Sequence, residues 1–259
     1  MPFMQKLLFY IPIIPLGIAI VIIAVGLSIV GLKIVWRFVS RQMLKVHNDL
    51  AVAIFGAIAL AYTVLLAFVV VVSWQNFDKA KDHTELEANC LVDLHRDSGA
   101  FSPPIRDEAR ALIKDYTRVV IDEEWAMLAK GQESANASAA LRKIWALYIS
   151  FEPKTEKEKI FLTESVRKLN DLREARRFRL VDAREGLHPV LWFVLLVGAV
   201  TTVSFTFFFG SDKFFIHVLM ASILATIIAL ILLTILSFEF PFTGSVRIEP
   251  GTFEQIIHF

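Results

Sequence analysis

Cysteine is almost absent: Cys90 is the only one in 259 residues. A single thiol excludes a disulfide-stapled secreted scaffold. Charge is missing from four long stretches. Leu7–Leu32, Leu50–Phe77, Gly186–Ser211 and Phe214–Phe238 contain no Asp, Glu, Lys or Arg and run 26, 28, 26 and 25 residues. Each exceeds the roughly 20 apolar residues needed to cross a bilayer core of about 30 Å. That excludes a purely soluble protein. The net charge of only +1 argues against a dedicated nucleic-acid binder, which carries a strong basic excess. A cleavable leader is not expected either, and Leu7–Leu32 reads as a retained first helix. Lys6 precedes an apolar run much longer than the roughly 7–15 residues of a signal sequence, and no small-residue cleavage site follows.

What lies between the second and third runs is the opposite. Asp78–Glu185 holds 20 Lys/Arg and 21 Asp/Glu in 108 residues, a far higher charge density than the roughly one in four of soluble domains. No segment reads as a strand ladder, and no repeat of solenoid period is present. The expected fold is all-α: a polytopic membrane protein with four transmembrane helices and a helical bundle inserted between helices two and three.

The expected organisation has five parts. Residues 1–47 form a first crossing and a basic loop, and 48–77 a second crossing. Residues 78–185 form the polar bundle, 186–238 a transmembrane hairpin, and 239–259 a short, turn-rich tail packed on the membrane face of the bundle. No Gly or Pro interrupts Asp78–Asp97, so the second crossing is expected to continue as one helix into the bundle. Leu162, Val166, Leu169 and Leu172, three and four residues apart, mark the core face of a long amphipathic helix over Thr155–Arg184. Pro103–Lys130 and Ala139–Phe151 supply two more.

Loop one carries Lys33, Arg37, Arg41 and Lys45 with no acid. It reads either as an interfacial helix meeting anionic headgroups or as an extension of the first crossing. Asn48 and Asp49 open the second crossing, where either side chain suits an N-cap; the alternative is a pore mouth ringed by Asp49. Small residues recur at Ala53, Ala57 and Ala61, and at Ala221, Ala225 and Ala229, the spacing of close helix packing in lipid. Gly198, Thr202 and Thr206 repeat it on the third crossing. No ionisable acid or base lies mid-membrane, which disfavours coupled transport.

Catalytic signals are weak. His83, Glu87 and Cys90 share one helical face and could ligate a metal, but a packed or solvated face is the favoured reading. Asp122, Glu123 and Glu124 lack calcium-loop spacing. Arg173, Arg176, Arg177, Arg179 and Arg184 read as headgroup anchors. Asn136-Ala137-Ser138 matches a glycosylation sequon. The expectation is no enzyme, with no catalytic residue, no metal site and no cofactor.

Several strings resemble the bestrophin-like membrane domain family. They are His47-Asn48-Asp49-Leu50, Trp74, Glu87-Ala88-Asn89 with Asp93-Leu94, and Leu169-Asn170-Asp171-Leu172. Arg176-Arg177, Pro189-Val190-Leu191-Trp192 and Phe240-Pro241-Phe242-Thr243-Gly244 complete the set. The resemblance implies likeness to bestrophins, pentameric anion channels whose second helix lines the pore. On that basis Phe55, Tyr62, Leu66, Val69 and Ser73 are expected to face a lumen, and the alanine stripe a neighbouring helix. The bestrophin calcium clasp has no counterpart here.

The implied protein is a homo-oligomeric, anion-conducting channel, a pentamer by the same likeness, with the polar bundle as vestibule or gate. Its partners are the lipid bilayer, other copies of itself and small inorganic ions, with no nucleic acid. The likeness also favours a bacterial inner membrane with a cytoplasmic polar domain, although loop one's cations point the other way. The alternative is a membrane-anchored sensor or scaffold that uses the bundle as a binding module.

Overall fold

Between Gly56 and Gly99 the chain has neither glycine nor proline, so nothing interrupts intrahelical hydrogen bonding. The structure is a computed structural model that describes residues 3–257, the side chains of Phe3, Arg41, Met43 and Val46 excepted. In it the uninterrupted stretch lies within one helix, α4, Asn48–Asp97. At 1.5 Å per residue α4 is roughly 75 Å long, far more than a bilayer core demands.

Before it come α1 (Phe3–Tyr10), α2 (Ile13–Phe38) and the short α3 (Arg41–Val46). After it come α5 (Pro103–Val119), a π-helical turn at Val120–Glu124, α6 (Trp125–Leu128), α7 (Ala135–Ser150) and α8 (Glu156–Asp182). Then follow α9 (Pro189–Thr206), α10 (Phe214–Glu239) and α11 (Gly251–Ile257). No strand occurs among the described residues. Local chemistry sets the starts. Ser134 accepts from the amides of Asn136 and Ala137 ahead of α7, and Thr155 and Glu158 form a reciprocal capping box ahead of α8.

The chain divides into two compact units. One holds Ile11–Gln75 and Leu187–Glu239, and therefore all four apolar crossings; the other holds the chain up to Tyr10, Asn76–Gly186 and everything from Phe240 on. Among the described residues four helices, α2, α4, α9 and α10, are long and apolar enough to span a membrane.

In the membrane unit α10 lies alongside α2. A Cβ on Gly17 would come within 2.6 Å of the Leu233 side chain, so the missing side chain is what lets the helices approach. Ala221, Ala225 and Ala229 are buried, as small-residue packing in lipid requires. Large apolar side chains such as Ile14, Ile22, Leu27 and Phe193 point outward. That is the inverse of a soluble fold.

The polar unit has a conventional core. Leu91 and Leu94 of α4, Ile113 and Tyr116 of α5, Ile144 of α7, and Leu169 and Leu172 of α8 are all fully buried. The tail helps build this core. Phe242, Ile248, Phe253 and Ile256 are buried in it, and Trp125 donates its indole N–H to the Ile248 carbonyl at 3.1 Å. At the other end of the chain, Gln5 of α1 is fully buried and donates to the Ala183 carbonyl and Thr243 hydroxyl, both at 3.3 Å.

Candidate functional site

The membrane half of α4 has two different faces. Tyr62, Leu66, Val69 and Ser73, spaced three and four apart, are buried. Three of them pack with Leu195 of α9 and with Ile228 and Ile235 of α10. Tyr62 donates its hydroxyl to the Leu195 carbonyl at 2.8 Å. Its ring rests where a Cβ on Gly198 would stand, so the glycine is the socket for the tyrosine. Phe55 is half-buried and stacks near Phe205 and Phe209.

These five side chains were expected to face a lumen. Within the single chain four of them are buried in its own membrane unit, and Phe55 packs at its margin. The physical reason is size. Tyr, Leu and Val fill the gap between helices, whereas the alanines leave none to fill. Ala53, Ala57 and Ala61 are exposed, together with Leu60, Val64 and Val71. The uncovered face of α4 is thus apolar and mixes alanines with larger aliphatic side chains.

Asn48, expected at a helix cap or pore mouth, bonds to the backbone of Gly210. Its amide nitrogen donates to the Gly210 carbonyl at 3.0 Å, and its amide oxygen accepts from the Gly210 N–H at 2.8 Å. This two-way clamp ties the start of α4 to the α9–α10 hairpin, beside a Lys45–Asp212 ion pair. Asp49 is exposed.

The polar unit contains a feature that the sequence reading missed. Arg179 is fully buried. Its guanidinium donates to both oxygens of Glu87, at 2.6 Å and 3.0 Å, and to Glu124 at 2.8 Å. Arg176 donates to the same Glu124 at 2.5 Å, and the Tyr116 hydroxyl to Glu87 at 2.6 Å. The Trp125 and Phe253 rings lie 5.2 Å and 5.7 Å from the Arg179 guanidinium carbon, within cation–π range. Two carboxylates and two guanidiniums therefore neutralise one another inside the bundle.

Burial alone drives the Glu124 carboxyl upward, but the charges and hydrogen bonds of Arg179 and Arg176 outweigh it and hold the group below its ordinary value. Burial, reinforced by the Glu87 charge, pushes the Tyr116 phenol well above its own. The Glu124 carboxylate thus stays an ionised acceptor while the phenol stays a donor. The headgroup-anchor reading of Arg176 and Arg179 is corrected accordingly. They continue the stripe of Leu169 and Leu172 at spacings of four and three, so they occupy core positions of α8. Glu87 likewise lies on the buried stripe Ala80, Thr84, Glu87, Leu91, Leu94. Charge on an apolar stripe was the available signal.

His83, Glu87 and Cys90 do not converge. His83 pairs with Asp182 at 2.7 Å, Glu87 with Arg179, and Cys90 is buried in the core. Glu123 accepts from the Ser134 hydroxyl and the Asn136 amide, so it helps tie the start of α7 to the π-helical turn. Among the described residues no three His, Cys, Asp or Glu side chains gather as a metal site.

Four apolar crossings in one helical unit, joined to a charged helical unit with its own buried core, define an all-helical integral membrane protein. Residues 22–253 match the family model of the Bestrophin-like domain, and the chain belongs to that family. Its fold is similar to that of a bacterial Bestrophin homolog from Klebsiella pneumoniae. One single-substitution variant of that protein has TM-score 0.71 at 15% identity, covering 93% of this chain and 96% of that one. Another has TM-score 0.69 at 13% identity, with 93% and 98% covered. No curated protein matches the sequence.

Proposed function

We propose that this chain is one subunit of a homo-oligomeric, anion-conducting channel whose pore is walled by α4. The observation that carries the reading is the uncovered face of α4. It is apolar, free of charge from Leu50 to Phe77, and built around Ala53, Ala57, Leu60, Val64 and Val71, which the chain itself does not cover. A face of this kind serves as a hydrophobic constriction that gates by dewetting when several copies surround an axis. Five copies is the number the bestrophin likeness supports. The same likeness supports a bacterial inner membrane with the polar unit in the cytoplasm, where it forms the vestibule or gate.

The test is ion flux through purified protein in liposomes under opposed chloride and potassium gradients. Chloride flux above that of empty liposomes is expected. Val64→Ser or Leu60→Ser should raise it several-fold by wetting the constriction, while Tyr62→Phe, on the packed face, leaves ion preference unchanged. An oligomer that stays impermeable in wild type and in both serine variants refutes the reading.

A further inference from the structure

Helix α2 ends in a feature that the channel reading does not use. Its first charged residues are Lys33 and Arg37, one turn apart. Counted from Ile13, the roughly 20 residues that cover a 30 Å core end at Leu32. Lys33 therefore stands at the edge of the hydrocarbon, with Arg37 about 6 Å beyond it.

Both cations are exposed, and neither has a carboxylate partner among the ion pairs of the described residues. At 100° per residue they share one arc of the helix with Ile23, Leu27, Val30 and Ile34. All four of those apolar side chains are exposed, whereas Leu32 on the opposite side is fully buried. An apolar track about three turns long thus runs alongside and up to two unpaired cations. The nearby acid Asp212 is engaged with Lys45.

We infer that this arc of α2 is a binding surface for an anionic phospholipid. Its phosphate sits between the Lys33 ammonium and the Arg37 guanidinium, and one acyl chain lies along Ile34, Val30, Leu27 and Ile23. Charge complementarity selects the occupant. A zwitterionic headgroup brings its own cation to the same place, while an anionic one neutralises two otherwise unpaired charges. Each basic residue at a membrane surface favours anionic lipid by about fivefold, so the pair favours it by roughly 25-fold.

The experiment uses the full chain in nanodiscs of mixed phosphatidylglycerol and phosphatidylcholine, with retained lipids counted by native mass spectrometry after detergent extraction. Enrichment of phosphatidylglycerol by tenfold or more is expected. It should be lost in Lys33→Gln/Arg37→Gln and kept in Arg142→Gln/Lys157→Gln, which removes the same charge from exposed positions of the polar unit. Equal loss in both variants, or no enrichment in wild type, overturns the assignment. So does full displacement by millimolar inorganic phosphate, which would mean that the cations hold the anion without the acyl chain. An unchanged thermal midpoint in the glutamine variants keeps a folding defect from imitating the expected loss.

Discussion

Replacing Arg179 with methionine keeps most of the side-chain volume and removes the charge that two buried carboxylates share. Glu87 then keeps only the Tyr116 hydroxyl among its donors, and Glu124 keeps only Arg176 and the Ser134 amide. Removing one partner of a buried pair typically costs about 3–5 kcal/mol, because the other charge stays in the interior uncompensated. At about 4 °C per kcal/mol for a unit of this size, the thermal midpoint at pH 7.5 should fall by roughly 10–20 °C. Arg179→Lys should fall between, since an ammonium keeps the charge without the fork that reaches both acids.

The pH dependence of the wild type and of the variant should differ in sign. In the wild type the folded Glu124 carboxyl lies below its unfolded value. Its contribution is complete above about pH 4.3 and is lost only as pH falls through the folded value. In Arg179→Met the Glu124 carboxyl loses the Arg179 charge and hydrogen bond that offset its burial, so it can take up a proton and shed the penalty. The gap between the two proteins should therefore narrow between pH 7.5 and pH 5.5. With the other four tryptophans replaced by phenylalanine, Trp125 fluorescence is a local reporter, because its ring lies against Arg179. A midpoint shift under about 3 °C, or a gap independent of pH, would refute the account.

Two further outcomes follow from packing in the membrane unit. Gly198→Ala forces a methyl into the Tyr62 ring and should cost about 1–3 kcal/mol. Tyr62→Phe removes only the bond to Leu195 and should cost about 1 kcal/mol; thermal midpoints in detergent check both, and an unaffected Gly198→Ala contradicts the socket. Asn48→Asp keeps the acceptor for the Gly210 N–H but sets an oxygen against the Gly210 carbonyl. It should loosen the α9–α10 turn more than Asn48→Ala does, read as faster amide exchange at residues 208–213. Slower exchange in the aspartate variant would be inconsistent with the clamp.

The bestrophin-like strings acquire local physical meaning in the structure. Asn48 clamps the hairpin at Gly210. Glu87 and Arg176 belong to the buried charge network. Trp192 donates its indole N–H to both oxygens of Glu239 at 3.0 Å, and Thr243 donates to the Ala129 carbonyl at 2.9 Å. Each of these bonds joins residues far apart in the chain. None is visible as spacing, which explains why the strings pointed to the family long before they pointed to any role.

The sequence by itself determined the quantities that depend on neighbours along the chain. Runs without charge set the number of crossings, because desolvating an ion is too costly for a helix in hydrocarbon. The lack of Gly and Pro made α4 continuous, and the threefold and fourfold spacing of leucines marked α8. Only the tertiary structure decided which face of each helix meets another. In lipid both faces of α4 are apolar, so hydropathy cannot separate the side that packs from the side left open. Shape separates them: Tyr62 fits the gap at Gly198, and the alanines remain outside. The same holds for charge. Arg176, Arg179, Glu87 and Glu124 lie up to 92 residues apart, and in sequence each reads as one more solvated residue in a polar stretch. Folding brings them to one point, where each guanidinium meets a carboxylate inside the bundle.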